Sequence, residues 1–138
     1  MSFPGGPTHG PGSDVTMDDT PCSDPQALAR LARWGGATLV REVTALFRTE
    51  VPARLEAARE AAAAGQCAAV RRAAHSLRSS CAQLGALRMS ALSEKVEMLS
   101  AQGTLDPISA LLDLLEEEFA SFMPWLEGGV NSVLEVER

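Results

Sequence analysis

The spacing of apolar residues constrains this chain more than any other feature of its sequence. Between Val40 and Met123, apolar side chains recur at intervals of three and four, which is the period of one helix face. Glycines at positions 65, 85 and 103 divide this pattern into segments. No segment alternates apolar and polar residues in the way a half-buried strand does. The pattern therefore predicts an all-α fold.

The N-terminal part of this pattern indicates two successive helices. Asp24 followed by a proline supplies a capping oxygen and a residue suited to the first helical turn. A short helix from there to Trp34 is expected to stop at the Gly35–Gly36 pair. A long helix follows as far as Gly65, and Pro52 is expected to kink it.

The ends of the chain divide it into three regions. Residues 1–22 hold several prolines and glycines but few apolar side chains, which is typical of a disordered leader. A glycine pair at 128–129 is expected to end the last helix. We therefore expect a helix bundle over 23–127 and a C-terminal tail over 128–138. Four substantial helices with short connections predict an antiparallel four-helix bundle with a short extra N-terminal helix.

Charge is unevenly distributed along the chain. The net charge is −6, but residues 37–105 carry nine basic against six acidic residues, while residues 106–138 carry eight acidic residues and one arginine. A pI near 4.9 argues against nucleic acid as the main partner. The mildly basic middle can attract an acidic protein surface or a phosphoryl group.

Nothing in the sequence indicates export or membrane insertion. No stretch approaches 18 uninterrupted apolar residues, and the start lacks the basic and apolar regions of a signal peptide. The three cysteines form no metal-binding spacing. We expect no metal site, and we interpret the cysteines as reduced thiols of a cytoplasmic protein.

Of the two histidines, His9 lies in the leader and His75 lies in the middle of the segment that ends at Gly85. At 100° per residue, His75 falls about 140° from the centre of the apolar stripe of its helix, and is therefore expected to face solvent. The stripe consists of Val70, Ala74, Leu77, Cys81 and Leu84. The outward face carries Ala68, Arg72, Ser79 and Ala82, with Arg71 and Arg78 on its flanks.

The run from Ala74 to Ala86, AHSLRSSCAQLGA, resembles the signature of the histidine-containing phosphotransfer (HPt) domain family. That signature reads His, any residue, Leu, Lys, Gly and two small residues, and after two more positions an aliphatic residue, Gly and a small or aliphatic residue. Arg78 replaces the usual Lys, and Ser79 replaces the usual Gly, which is the one real departure. The resemblance covers roughly residues 24–126. The matching residues are His75, Leu77, Ser80, Cys81, Leu84, Gly85 and Ala86.

The resemblance implies a phosphorelay intermediate with His75 as its phosphoacceptor and Arg78 orienting the phosphoryl group. Nearby cations are expected to keep the imidazole neutral. The implied partners are response-regulator receiver domains and a hybrid or other histidine kinase, with the chain itself a monomer. No cofactor is expected in this chain, because Mg²⁺ would be bound by the receiver domain. The partner-binding residues implied are Ala68, Arg71, Arg72, Ser79 and Ala82.

Three alternatives remain open at this point. The phosphoacceptor bundle of a sensor kinase has a similar histidine box, but this chain shows no Gly-rich nucleotide motif, so no autonomous kinase activity is expected. A fragment of a larger chemotaxis-type histidine kinase would have the same bundle. A degenerate bundle that binds proteins without carrying phosphate is the third alternative, and Ser79 is the residue that keeps it open.

Overall fold

The computed structural model describes residues 23–136, which form four helices. Each helix packs against the next, and the last packs against the first, so that the four close into a bundle. The short connections between them leave neighbouring helices antiparallel. The predicted four-helix bundle is confirmed, while the leader predicted over 1–22 lies outside the described residues. The helices are α1 (Ala27–Ala63), α2 (Cys67–Gln83), α3 (Leu87–Ala101) and α4 (Ile108–Val136).

The end of α2 is a Schellman motif built around Gly85. The N–H of Ala86 donates to the carbonyl of Cys81 at 2.8 Å, and the N–H of Gly85 donates to the carbonyl three residues before it at 3.2 Å. This arrangement needs the left-handed backbone that Gly85 adopts, with φ at +75°. The same two bonds end α1 and α3, at Gly65 and Gly103. The three helix ends predicted from these glycines are therefore confirmed.

The first helix, α1, is interrupted at Gly36, whose torsions of φ 69° and ψ −164° are not helical. The part before Gly36 is the predicted short N-terminal helix, and Ala27 and Leu28 bury its inner face. Pro52 lies inside α1 with helical torsions. The interruption confirms the helix end predicted at the Gly35–Gly36 pair, because glycine reaches a positive φ cheaply. The kink expected at Pro52 stays a prediction.

The last helix, α4, continues to Val136, so the helix end predicted at residues 128–129 is wrong. Both glycines lie within the helix, and Val130 beyond them is buried. A Cβ atom on Gly129 would lie only 2.8 Å from the Cδ1 atom of Leu28. This glycine therefore allows close packing of α4 against the start of α1, and residues 128–136 extend the bundle instead of forming a separate tail.

A single apolar core fills the bundle, and an aromatic cluster joins α1 to α4 within it. The ring of Phe47 lies 5.8 Å from that of Phe119 and 5.7 Å from that of Phe122, measured between centroids. At the surface, Arg59 of α1 bridges Asp113 and Glu116 of α4, at 2.8 and 3.1 Å. Aromatic contacts in the core and ion pairs at the surface therefore join the two long helices, α1 and α4.

Within residues 23–136, no helix is both long enough and apolar enough to cross a membrane. The same part of the chain holds no group of three or more His, Cys, Asp or Glu side chains placed to bind a metal ion.

Candidate functional site

The candidate site lies on the outer face of α2, whose orientation is set by burial of its apolar stripe. Val70, Leu77 and Cys81 are all at most 1% exposed, and they hold the opposite face of the helix against the core. The side chain of His75 is 58% exposed. The solvent-facing position predicted for His75 is confirmed.

The remaining residues that the sequence predicted for this site also lie on α2. Arg78 is half-buried, whereas the five predicted partner-binding residues are all exposed. They extend from the first turn of the helix to its last turn, and so form one continuous strip that includes the histidine. Their role in binding a partner stays a prediction. The five are Ala68, Arg71, Arg72, Ser79 and Ala82.

A carboxylate from the neighbouring helix reaches the imidazole. The Oε2 atom of Glu97, on α3, lies 2.9 Å from the Nδ1 atom of His75. A carboxylate oxygen only accepts hydrogen bonds, so a hydrogen bond in this contact requires the proton on Nδ1, and in the neutral imidazole Nε2 then keeps its lone pair. The contact therefore favours the neutral tautomer in which the lone pair is on Nε2.

Glu97 also holds Arg78. The Nε atom of Arg78 lies 3.2 Å from Glu97 Oε1, as an ion pair without the alignment of a hydrogen bond. The Nη2 atom of Arg78 lies 3.4 Å from His75 Nδ1. The guanidinium is therefore beside the nitrogen that already has a partner, whereas the sequence placed it at the phosphoryl oxygens.

Sequence reasoning missed Glu97 because it considered each helix face separately. His75 and Glu97 lie at nearly equal distances along the chain from the tight turn at Gly85. In an antiparallel helix pair such residues come side by side, since both helices advance by about 1.5 Å per residue. For the same reason, the expectation that nearby cations keep the imidazole neutral took no account of the Glu97 carboxylate.

An open depression of about 450 Å³ adjoins His75 on the surface. Two arginines of α2 contribute to its wall, and both are exposed. Neither Arg71 nor Arg72 forms an ion pair with any residue in the part of the chain that the structure describes. The lining residues are Arg71, Arg72, His75, Ser76 and Glu97, so Arg78 is not among them.

The Hpt domain family model matches residues 42–123, which is more than half of the chain and includes His75. The chain belongs to the Hpt domain family. This assignment gives the domain a general role in phosphotransfer, with phosphorelay proteins such as receiver domains as the class of partner. It also confirms the resemblance drawn from the run Ala74–Ala86.

A solved structure shares the fold of this Hpt domain. The crystal structure of histidine-containing phosphotransfer protein B (HptB) from Pseudomonas aeruginosa PAO1 superposes with a TM-score of 0.75. The match covers 81% of this chain and 96% of that chain, at 24% sequence identity. A comparison with curated proteins finds no match.

Proposed function

We propose that this Hpt domain is a phosphorelay intermediate. It accepts a phosphoryl group on His75 from the aspartyl phosphate of a receiver domain, which can belong to a hybrid kinase, and passes the group to a response regulator. The observation that carries this proposal is the exposed imidazole whose Nδ1 is held by Glu97 at 2.9 Å, which leaves Nε2 as the nucleophile.

The transfer step requires little more from this chain than a positioned imidazole. The lone pair of His75 Nε2 forms a bond to phosphorus while the bond from phosphorus to the aspartyl oxygen breaks, and that electron pair leaves on the carboxylate. The proton stays on Nδ1, where the charge of Glu97 stabilises the ring as it becomes positive. Onward transfer is the reverse step, with a second receiver aspartate as the acceptor. Mg²⁺ bound by the receiver would neutralise charge on the phosphoryl oxygens.

The face around His75 is suited to close approach by a second protein. Ala68, Ser79 and Ala82 are exposed and small, so no long side chain on these positions separates the imidazole from a docked surface. Ser79, in place of the usual glycine, adds a hydroxymethyl group on the solvent side of α2 and leaves the core packing unchanged. We infer that the chain acts as a monomer in the cytoplasm, where its cysteines would remain thiols.

The test is to incubate the full chain with a receiver domain that carries labelled aspartyl phosphate. We expect label on the parent protein that is lost in acid and stable in base, which distinguishes phosphohistidine from phosphoserine. The variant His75→Gln should take up no label, while the matched control His9→Gln should be labelled like the parent. ATP alone should label neither.

Two results would contradict the proposal. Label that persists in His75→Gln would place the acceptor elsewhere. A parent that binds the phosphorylated receiver but never takes up label would favour the degenerate bundle that binds proteins without carrying phosphate.

A further inference from the structure

Arg78 is poorly placed to bind a phosphoryl group on His75 Nε2. Its guanidinium contacts Nδ1 at 3.4 Å and pairs with Glu97 Oε1 at 3.2 Å. The side chain of Glu97 is only 21% exposed, and its Oε1 atom accepts no aligned hydrogen bond from the described residues. Withdrawing Arg78 would leave this largely buried carboxylate without its counter-charge, next to a newly arrived anion. The arrangement therefore opposes movement of Arg78 to the phosphoryl group.

Arg71 and Arg72 have the opposite properties. Both are exposed, and neither is paired to a carboxylate within residues 23–136, so binding an anion would break no existing ion pair. Both line the depression beside His75, and the hydroxyl-bearing Ser76 lines it with them. The guanidinium fork suits bidentate contact with phosphoryl oxygens.

The geometry points to Arg71 and Arg72, in the depression beside His75, as the cations that bind the phosphoryl oxygens, with Arg78 serving as a positioning residue for Glu97 and the imidazole. This assignment rests on the proposed function. A phosphoryl group brings between one and two negative charges to the site, and two free guanidinium groups can match that charge. Glu97, which closes the depression on the Nδ1 side, directs the anion toward the arginines by repulsion.

The experiment uses phosphoramidate as the phosphoryl donor, because this small molecule reports on the site without protein docking. His75 Nε2 forms the new bond to phosphorus, the bond from phosphorus to nitrogen in the donor breaks, and ammonia leaves. Mass spectrometry of the full chain measures the rate of phosphorylation at His75. The variants are Arg71→Gln/Arg72→Gln, Arg78→Gln and the control Arg33→Gln/Arg41→Gln.

We expect the Arg71→Gln/Arg72→Gln rate to fall about tenfold, and Arg78→Gln to stay within about threefold of the parent. The control removes the same two charges from exposed positions of α1 and should react like the parent. The double lysine variant at 71 and 72 should recover most of the rate, since it keeps the charge. Inorganic phosphate should slow labelling of the parent but not of the double glutamine variant.

Three outcomes would overturn the assignment. The first is a tenfold loss in Arg78→Gln with a normal rate in Arg71→Gln/Arg72→Gln. The second is an equal loss in the control, which would reduce the effect to net charge. The third is a parent that takes up no label on His75 from phosphoramidate or from a receiver, which overturns the proposed function itself. Circular dichroism of each variant confirms that the helices remain folded.

Discussion

Replacing Gly85 with alanine tests how the turn between α2 and α3 supports the bundle. Gly85 has φ at +75°, and a Cβ atom there would lie 2.7 Å from the Cβ of Ala27 and 2.8 Å from the carbonyl oxygen of Asp24. The N–H of Asp24 also donates to the carbonyl of Gly85 at 2.8 Å. The segment from Asp24 to Ala27 therefore lies directly on this glycine, and an added methyl group must displace that segment.

The cost can be worked out from these contacts. Left-handed torsions cost a non-glycine residue about 1 kcal/mol. Displacing the Asp24 segment weakens a backbone hydrogen bond worth about 1 kcal/mol and adds overpacking of about 1 kcal/mol or more. We expect Gly85→Ala to lower the free energy of unfolding by about 3 kcal/mol. Gly65 and Gly103 have the same positive φ with no atom within 4 Å of an added Cβ, so their alanine variants should lose only about 1 kcal/mol.

Urea denaturation followed by helical circular dichroism measures all three variants against the parent. The controls share the change in chain entropy and the strained torsion, so the excess loss in Gly85→Ala, about 2 kcal/mol, reports the contact with Asp24 and Ala27. A loss in Gly85→Ala within about 0.5 kcal/mol of Gly65→Ala would refute the reasoning, because it would show that the N-terminal segment does not press on this turn.

Four further predictions each concern the environment of one side chain. Burial raises the pKa of the Cys81 thiol to about 12, so iodoacetamide near neutral pH should modify half-exposed Cys67 long before Cys81, as peptide mapping would show. Arg59→Gln should lower the free energy of unfolding by about 0.5–1 kcal/mol at low salt and by less in concentrated salt, because the pairs it breaks are surface pairs. Ser79→Arg should weaken receiver binding in calorimetry by about 1.4 kcal/mol, a factor of ten, whereas Ser79→Gly should stay within a few-fold. The Glu97→Gln variant retains a hydrogen-bond acceptor for the Nδ1 proton, so its His75 should accept a phosphoryl group faster than His75 in Glu97→Ala. Equal phosphorylation rates for the two variants would contradict the tautomer assignment.

The helices and most of their ends could be predicted because the signals are local. A glycine that follows an apolar stripe can supply the positive φ of a Schellman motif, and Gly65, Gly85 and Gly103 all do so. The same reasoning failed at Gly129, which lies inside α4 with the side chain of Leu28 packed close to it. Whether a glycine ends a helix or admits a neighbour depends on a contact with a distant part of the chain, and the local pattern carries no information about that contact.

In the site too, features set by a single helix could be predicted from the sequence, and contacts between helices could not. The exposure of His75 follows from the face of its own helix, so helical periodicity was enough to predict it. The state of its imidazole and the direction of Arg78 follow from Glu97, which α3 brings into contact across the turn. A motif of successive residues on one helix therefore predicts the acceptor that we propose, whereas the carboxylate on the next helix contacts both Nδ1 of that histidine and the guanidinium of Arg78. Arg71 and Arg72, which we propose as the cations that bind the anion, precede His75 in the sequence, whereas the family signature points to Arg78, which follows it.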